Sequence, residues 1–160
     1  MVRLLGVAFE AMKIPEPLFK IINIVVGMLL KSPFHTLMSR SVLLITYTGR
    51  KSGRAYSTPV RYIRRGVSIR CFTSDHGQWW RNVKANPQVT LLVAGSSGAY
   101  QARVLARDPG RTSELLTDYL AAFPQDAAYH EIRVNPDGSL DDNDLLVASQ
   151  KAVVVEFEEV

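Results

Sequence analysis

The stretch Thr48-Gly49-Arg50-Lys51-Ser52-Gly53-Arg54 joins two short apolar segments, residues 42–47 and 57–63. Both segments are rich in β-branched and aromatic residues, as β-strands are, so the glycine-bounded stretch between them predicts a hairpin. Its glycines allow backbone amides to turn inward, and its hydroxyl and three cations suit the binding of a phosphate. The Gly-Lys-Ser/Thr order of a Walker loop is absent. The alternative interpretation is a solvated basic turn.

The strand pattern continues beyond this hairpin. Further strands are predicted at residues 67–73, 89–94, 100–106 and 151–157, with turns at Gly66 and at Gly95-Ser96-Ser97-Gly98. Helices are predicted at residues 78–85, entered through Ser74 or Asp75, and at residues 112–123. Residues 135–139, with Asp141, Asp142 and Asp144, predict an exposed loop. Apolar runs such as Val42-Leu43-Leu44-Ile45 favour a small barrel that helices cover on the outside. The predicted fold is therefore mainly β with flanking helices (α+β).

Composition indicates one globular domain without covalent staples. The chain has 160 residues, of which 47% are apolar and 21% charged, and this length buries enough surface to fold without a disulfide or metal. Its single cysteine, Cys71, cannot pair within the chain. A lone cysteine inside a predicted strand indicates a buried structural thiol and a reducing compartment. We therefore expect a cytoplasmic protein.

The charge is divided along the chain. Residues 40–107 hold twelve Lys or Arg against one acid, Asp75, whereas residues 108–160 hold three bases against twelve acids. Such a basic block either binds an anionic partner or pairs with the acidic part of the same chain. Arg61, Arg64 and Arg65 favour an anionic ligand, because like charges repel when no anion lies among them. Nucleic acid is the least expected partner, since the acidic part argues against it.

Residues 1–32 form a separate apolar segment, predicted to be helical, before a domain at residues 33–160. The run from Leu18 to Leu30 is too short to span a bilayer, and no signal-peptide cleavage site follows it. Its polar positions make one narrow stripe, so the helix needs an apolar neighbour. That neighbour is the domain itself, a partner subunit in a homodimer, a membrane surface or a lipid-like ligand.

A second stretch that could bind a ligand is Thr73-Ser74-Asp75-His76-Gly77-Gln78-Trp79-Trp80-Arg81-Asn82. Two hydroxyls at a strand end, followed by a helix start, can bind the polar edge of a planar ring. At most one of the two tryptophans is expected to face that ring. None of His35, His76 and His130 has a partner at metal-ligand spacing, and no serine-nucleophile motif is present. This pattern is typical of a protein that takes its chemistry from a cofactor.

These residues carry a family resemblance. Residues 43–54, Thr58-Pro59-Val60, Trp79-Trp80-Arg81-Asn82 and Ala85-Asn86-Pro87 together resemble the deazaflavin-dependent nitroreductase family of split β-barrel, FMN-binding-like oxidoreductases. The resemblance runs in order from about residue 33 to residue 106. It implies binding of coenzyme F420, a deazaflavin whose tail carries a phosphodiester and several glutamates. It also implies hydride transfer from the reduced deazaflavin to a small apolar acceptor of quinone, lipid or nitro type.

The resemblance also implies particular site residues. Arg50, Lys51, Ser52, Gly53 and Arg54 would hold the tail; Thr58, Pro59, Val60, Thr73 and Ser74 would line the ring, with Trp79 and Asn82 beside it.

The branch that reduces nitro compounds carries several tyrosines around its acceptor. Here residues 123–129 contain only Tyr129, which argues against nitro reduction. Tyr129, Tyr119 or water would deliver the proton that the acceptor gains during its reduction. The alternatives are an FMN oxidoreductase of the same fold and a lipid-binding protein without turnover. No metal is expected.

Overall fold

The computed structural model describes residues 40–105 and 108–160. Its strands are β1 (Val42–Thr48), β2 (Ala55–Arg65), β3 (Ser68–Ser74), β4 (Gln88–Val93), β5 (Ser96–Leu105) and β6 (Ala152–Glu159). Its helices are α1 (Trp79–Ala85), α2 (Pro109–Ala122) and α3 (Asp142–Lys151), with a short 3-10 helix at Pro124–Asp126. The predicted N-terminal helix and the boundary at residue 33 lie outside the described residues.

The six strands form a closed antiparallel barrel in the order β1-β2-β3-β6-β5-β4. Alternate residues of each strand point into the barrel, because side chains in a strand alternate between its two faces. Leu43, Ile45, Ile69, Leu91 and Phe157 are fully buried there. This interior core fixes the register of the strands, since a slip of one residue would turn polar side chains inward.

The pairing between β2 and β3 is incomplete, and this positions the site. The first half of β2 pairs with β1, from Thr48 opposite Ala55 to Val42 opposite Arg61. Only its second half pairs with β3, from Tyr62 opposite Cys71 onward to the turn. The start of β2 and the end of β3 are therefore not hydrogen-bonded to each other, which leaves an opening in the hydrogen-bond ladder between these two strands.

A second core covers the outside of the barrel, as the two-faced apolar strands predict. Leu116, Tyr119 and Leu120 of α2 pack with Ala148 of α3 against Ile63 of β2. An ion pair is buried beneath these helices: Arg61 Nε lies 3.0 Å from Asp126 Oδ2. The Arg61 guanidinium also lies 5.0 Å from the centre of the Phe123 ring. The helices that cover the barrel are thus fixed to β2 by both apolar packing and charge.

Two predicted connections differ from the structure. Asp141, Asp142 and Asp144 do not form a loop; Asp141 caps α3, its carboxylate accepting a hydrogen bond from Asp144 N at 3.0 Å. Acids in a first turn favour a helix by interacting with its dipole, and this signal marks the start of α3. The predicted turn at residues 95–98 is shorter than expected, because Val93 pairs directly with Ser96. Ala94 and Gly95 both have positive φ, as a two-residue hairpin turn requires.

Candidate functional site

The hairpin between β1 and β2 is held closed by its backbone. Gly49 N donates to Arg54 O at 2.8 Å, and Gly53 N donates to Gly49 O at 2.9 Å. Gly53 has φ of +65°, a conformation that glycine adopts without strain. A Cβ on Gly49 would lie 2.6 Å from Tyr56 Cε2 and 2.7 Å from Ser52 Oγ. The loop is therefore compact, with no room for a side chain at residue 49.

Three cations of the hairpin are exposed. Arg50, Lys51 and Arg54 form no ion pair with any acid in residues 40–105 and 108–160. An exposed, glycine-bounded turn that concentrates three positive charges is suited to an anionic ligand.

Two of the neighbouring arginines behave differently, which corrects for Arg61 and Arg65 the expectation of an external anion; Arg64 forms no ion pair within residues 40–105 and 108–160. Arg61 pairs with Asp126 and Arg65 pairs with Asp118. Arg70 and Arg103, on β3 and β5, share Glu156 of β6 at 2.8 and 3.2 Å. Internal pairing is therefore confirmed for these four arginines, whereas the binding of an anionic partner by the hairpin cations stays a prediction. The acidic part of the chain neutralises these four strand arginines and leaves the hairpin cations to other partners.

Helix α1 is joined to the hairpin through Asn82. The Asn82 Oδ1 atom accepts hydrogen bonds from Arg50 N and Arg50 Nη1, both at 3.1 Å, while its amide Nδ2 donates to Gln78 O at 3.3 Å. The structure thus brings together the two stretches that sequence analysis singled out separately. Of the two tryptophans, Trp79 is 5% exposed and lies in the barrel core, whereas Trp80 is half-buried. Trp80 therefore presents more surface to a ligand than Trp79 does.

The connection from β3 to α1 is braced by Arg81. Its guanidinium donates to Asp75 O and to Gly77 O, both at 2.5 Å, and lies 4.5 Å from the Trp80 ring centre. Neither Ser74 nor Asp75 caps the helix, because α1 begins after Gln78 with no side-chain cap. Sequence analysis did not predict this role of Arg81. The signal available for it is an arginine four residues after a glycine, at the connection between a strand and a helix.

The residues predicted to line a ring belong to the two strands that border the opening. Thr58, Pro59 and Val60 lie in the first half of β2, where the Thr58 hydroxyl is 3.3 Å from Tyr47 OH. Thr73 and Ser74 end β3 and pair with β6. Thr73 is buried and Ser74 is half-buried. These positions agree with a ring site at the opening, which remains a prediction.

A cavity of about 360 Å³ lies beside the end of β3. Its walls include Ser74 and Asp75 from β3 and its connection, Tyr129, His130 and Glu131 from the segment after the 3-10 helix, and Lys151 from α3. Tyr129, the candidate proton donor, therefore lines the same cavity as Ser74. Tyr119 is placed elsewhere: it is buried in the outer core and its hydroxyl donates to Asp126. His130, which spacing alone gave no role, also faces this cavity.

Burial changes the ionisation of several groups near the site. It lowers the pKa of His130 to about 4, so this imidazole is neutral at pH 7. Burial, together with the negative charge of Asp126, raises the pKa of Tyr119. Burial also raises the pKa of the Cys71 thiol, in keeping with a structural rather than a reactive cysteine. Across residues 40–105 and 108–160, no group of three or more His, Cys, Asp or Glu is arranged to hold a metal.

The described helices do not cross a membrane. Within residues 40–105 and 108–160, none is both long and apolar enough to span a bilayer.

Comparison with known structures supports the fold. One match, a domain-swapped dimer, has 20% identity and a TM-score of 0.50 over 88% of this chain and 99% of that chain. HutZ, a heme storage protein from Vibrio cholerae, has 13% identity and a TM-score of 0.52 over 76% of this chain and 82% of its own. An F420H2-dependent reductase, FDR-A, has 22% identity and a TM-score of 0.47 over 72% and 94%. At these identities the likeness concerns the fold alone, and the matches to the domain-swapped dimer and to HutZ confirm the predicted split β-barrel of the FMN-binding type.

No curated protein matches the chain. A family model does: residues 31–135 match that of the F420H2-dependent quinone reductases. This match spans most of the barrel, including the hairpin, α1 and the Tyr129 segment. It confirms the expectations of an enzyme and of F420 as its cofactor. The chain thus belongs to the F420H2-dependent quinone reductase family.

Proposed function

We propose that this reductase binds the anionic tail of F420 at the β1–β2 hairpin and reduces a quinone-type acceptor held in the cavity beside Ser74. One observation carries the proposal. The hairpin cations Arg50, Lys51 and Arg54 have no acidic partner among the described residues, whereas Arg61, Arg65, Arg70 and Arg103 on the strands do. A surface that leaves these three charges without an acidic partner fits an external polyanion.

The residues present fit this cofactor. Its tail carries a phosphodiester and glutamates, for which the hairpin offers three cations and the hydroxyl of Ser52. The loop is kept in shape by Gly49, whose missing Cβ makes room for Tyr56 and Ser52. Thr58 to Val60 and Thr73 to Ser74 are the residues that would line the deazaflavin ring at the opening. Reduced F420 supplies a hydride, so the chain itself needs to contribute position and a dry site.

The cavity suits a small planar acceptor. It lies against Ser74, so an acceptor there is next to the proposed ring site. Tyr129 and His130 meet at an interplanar angle of 81° with centroids 4.9 Å apart and form an aromatic wall. The acceptor must also gain one proton to become a hydroquinone, and Tyr129 and water are the candidate donors. The scarcity of tyrosines in residues 123–129 favours a quinone over a nitro compound.

Equilibrium titration of the purified protein with F420 tests the cofactor site, with flavin mononucleotide in parallel. We expect saturable F420 binding below about 100 µM and weaker binding of the flavin. The variant Arg50→Ala/Lys51→Ala should lose about 1.5–3 kcal/mol for each charged contact. Arg111→Ala, which removes a charge from exposed α2, serves as the control. Unchanged affinity in the double variant would exclude the hairpin as the tail site.

Steady-state rates with several acceptors test the substrate class. A naphthoquinone, a nitroaromatic compound and an unsaturated fatty acid are compared at equal concentrations of reduced F420. We expect the quinone to give the highest kcat/KM. A flavin absorbance band in the purified protein would instead favour the FMN enzyme. Mass spectrometry that found only an extracted acyl chain, together with no turnover, would favour a lipid-binding protein.

Quaternary structure and membrane contact remain predictions. Small barrels can complete their core by pairing, so we expect a homodimer in solution. Sedimentation equilibrium measures this directly, and a monomer at micromolar concentration would contradict it. Flotation with anionic lipid vesicles tests whether residues 1–32 bring the protein to a membrane surface.

A further inference from the structure

We propose that His130 donates a hydrogen bond to a carbonyl oxygen of the acceptor in the cavity. The inference rests on the proposed function, because it takes the cavity as the place where a quinone binds. It goes beyond that proposal by naming a protein group that touches the reacting acceptor. Sequence spacing gave no reason to select this histidine, since no Glu or His lies at metal-ligand spacing from it.

The backbone and the neighbouring rings fix the position of His130. His130 N donates to Ala127 O at 3.1 Å, and Ile132 N donates to the same carbonyl at 2.9 Å, which folds this segment tightly after the 3-10 helix. The imidazole lies perpendicular to Tyr119 and Tyr129, with centroid distances of 6.3 and 4.9 Å. A ring held between two aromatic side chains has little freedom to turn, so its nitrogens keep a defined direction.

His130 also borders the cavity. His130 is 9% exposed and forms part of the cavity wall. Its ring makes no hydrogen bond with the side chains or backbone of residues 40–105 and 108–160, yet neither nitrogen is among the buried polar atoms that lack a partner. An unpartnered atom that is not sealed inside the protein must reach accessible space. The cavity is an accessible space that His130 lines, and we take it as the space that its ring reaches.

The carboxylates and the lysine of the cavity wall are less suited to donate. Lys151 Nζ is 3.3 Å from Glu131 Oε2 and is engaged with it. Asp75 offers carboxylate oxygens, which accept. A neutral imidazole carries one N–H donor and places no net charge in the cavity, in keeping with the effect of its burial. An acceptor with a carbonyl group therefore finds a donor at His130.

This hydrogen bond would act on the reaction itself. When a hydride adds to a quinone, two electrons and one hydrogen enter the ring system and negative charge develops on a carbonyl oxygen. A fixed N–H at that oxygen stabilises the charge more in the transition state than in the bound quinone. The oxygen then takes one proton, which balances the conversion to a hydroquinone. His130 keeps its own proton throughout.

Two variants separate the hydrogen bond from mere packing. His130→Gln retains an N–H donor of similar reach, whereas His130→Phe keeps a ring and removes the donor. With 2-methyl-1,4-naphthoquinone and reduced F420, we expect His130→Phe to lower kcat/KM about 10- to 100-fold. The glutamine variant should stay within about fivefold of the parent protein. F420 affinity should be unchanged in both, because neither alters the hairpin.

A measurement without cofactor distinguishes failure of this inference from failure of the cofactor site. Imidazole nitrogen and proton NMR signals of the isotopically labelled protein are followed as the naphthoquinone is added, with His130→Gln used for assignment. We expect the His130 ring signals to shift and saturate. Unshifted signals would overturn the inference whether or not F420 binds. Equal kcat/KM in the phenylalanine variant and the parent protein would overturn it as well.

Discussion

Asn82 Oδ1 accepts two hydrogen bonds from Arg50, one from its backbone nitrogen and one from its guanidinium, each at 3.1 Å. These two bonds fix both the course of the hairpin and the direction of its first cation. Because Asn82 belongs to α1, the two bonds also hold the hairpin against this helix. The proposed tail site and the proposed ring site are thereby kept in one arrangement.

Replacing Asn82 should weaken F420 binding without unfolding the protein. We expect Asn82→Ala to lower the affinity about 3- to 10-fold, because Arg50 loses its orientation. Asn82→Asp should lower it further, since a carboxylate at this place would pair with Arg50 and repel an anionic tail. Fluorescence titration with F420 measures both. Asn143→Ala, at an exposed position of α3, is the matched control; an aspartate variant that binds as the parent does would contradict the role given to Arg50.

A methyl group at residue 49 should disturb the hairpin. In Gly49→Ala the new Cβ would meet Tyr56 and Ser52 at less than 3 Å, so one of these side chains must move. We expect at least a threefold loss of F420 affinity with a small change in the free energy of unfolding. Gly110→Ala is the control, because a Cβ there meets nothing within 4 Å. The interpretation is wrong if the two alanine variants bind F420 equally well.

The buried ion pair should matter more for stability than the exposed one. Asp126→Ala leaves the Arg61 guanidinium buried without its carboxylate, and we expect a loss of about 3–5 kcal/mol in the free energy of unfolding. Asp118→Ala removes the ion pair with Arg65, in which the side chains of Arg65 and Asp118 are 46% and 42% exposed. Loss of this exposed pair should change the free energy of unfolding little. Urea unfolding followed by circular dichroism measures both variants. Similar losses in the two would show that burial does not decide the effect.

Stability should fall in mild acid because of His130. Its pKa lies at about 4 in the folded protein against 6.5 for a free histidine, so below pH 6.5 the unfolded chain binds the proton more readily. The contribution of neutral His130 to the free energy of unfolding is present in full above pH 6.5 and is lost as the pH falls toward 4. The full effect of this one residue is about 3 kcal/mol. The pH dependence of the free energy of unfolding is compared between His130→Gln and the parent protein, which isolates the contribution of His130. Equal slopes of this free energy against pH, between pH 4 and 6.5, would contradict the prediction.

Local patterns were enough to predict most of the barrel. Runs such as Val42–Thr48 and Ala152–Glu159 carry β-branched residues that favour strands, and the glycines mark the turns between them. The hairpin and its cations could be identified in the same way. Helix α3 was missed because its apolar positions are few, and the acids at its start read equally well as a loop.

Long-range pairing could not be predicted from the sequence. The partners of Arg61 and Arg65 lie 65 and 53 residues away along the chain, so only the folded arrangement shows that these cations are neutralised. His130 shows the same limit. Its place in the cavity wall depends on the packing of the outer helices against β3, a tertiary relationship that no local spacing encodes.

The uneven pairing of the arginines has a kinetic consequence. Since acids on β6 and the outer helices neutralise four arginines of β2, β3 and β5, the side of the molecule that carries the hairpin contributes more to the positive field in solvent than these four arginines do. A polyanion diffusing toward the protein would be steered to that side and turned tail first before any contact forms. Capture speed would then depend on ionic strength, while the lifetime of the bound state depends on the shape of the loop.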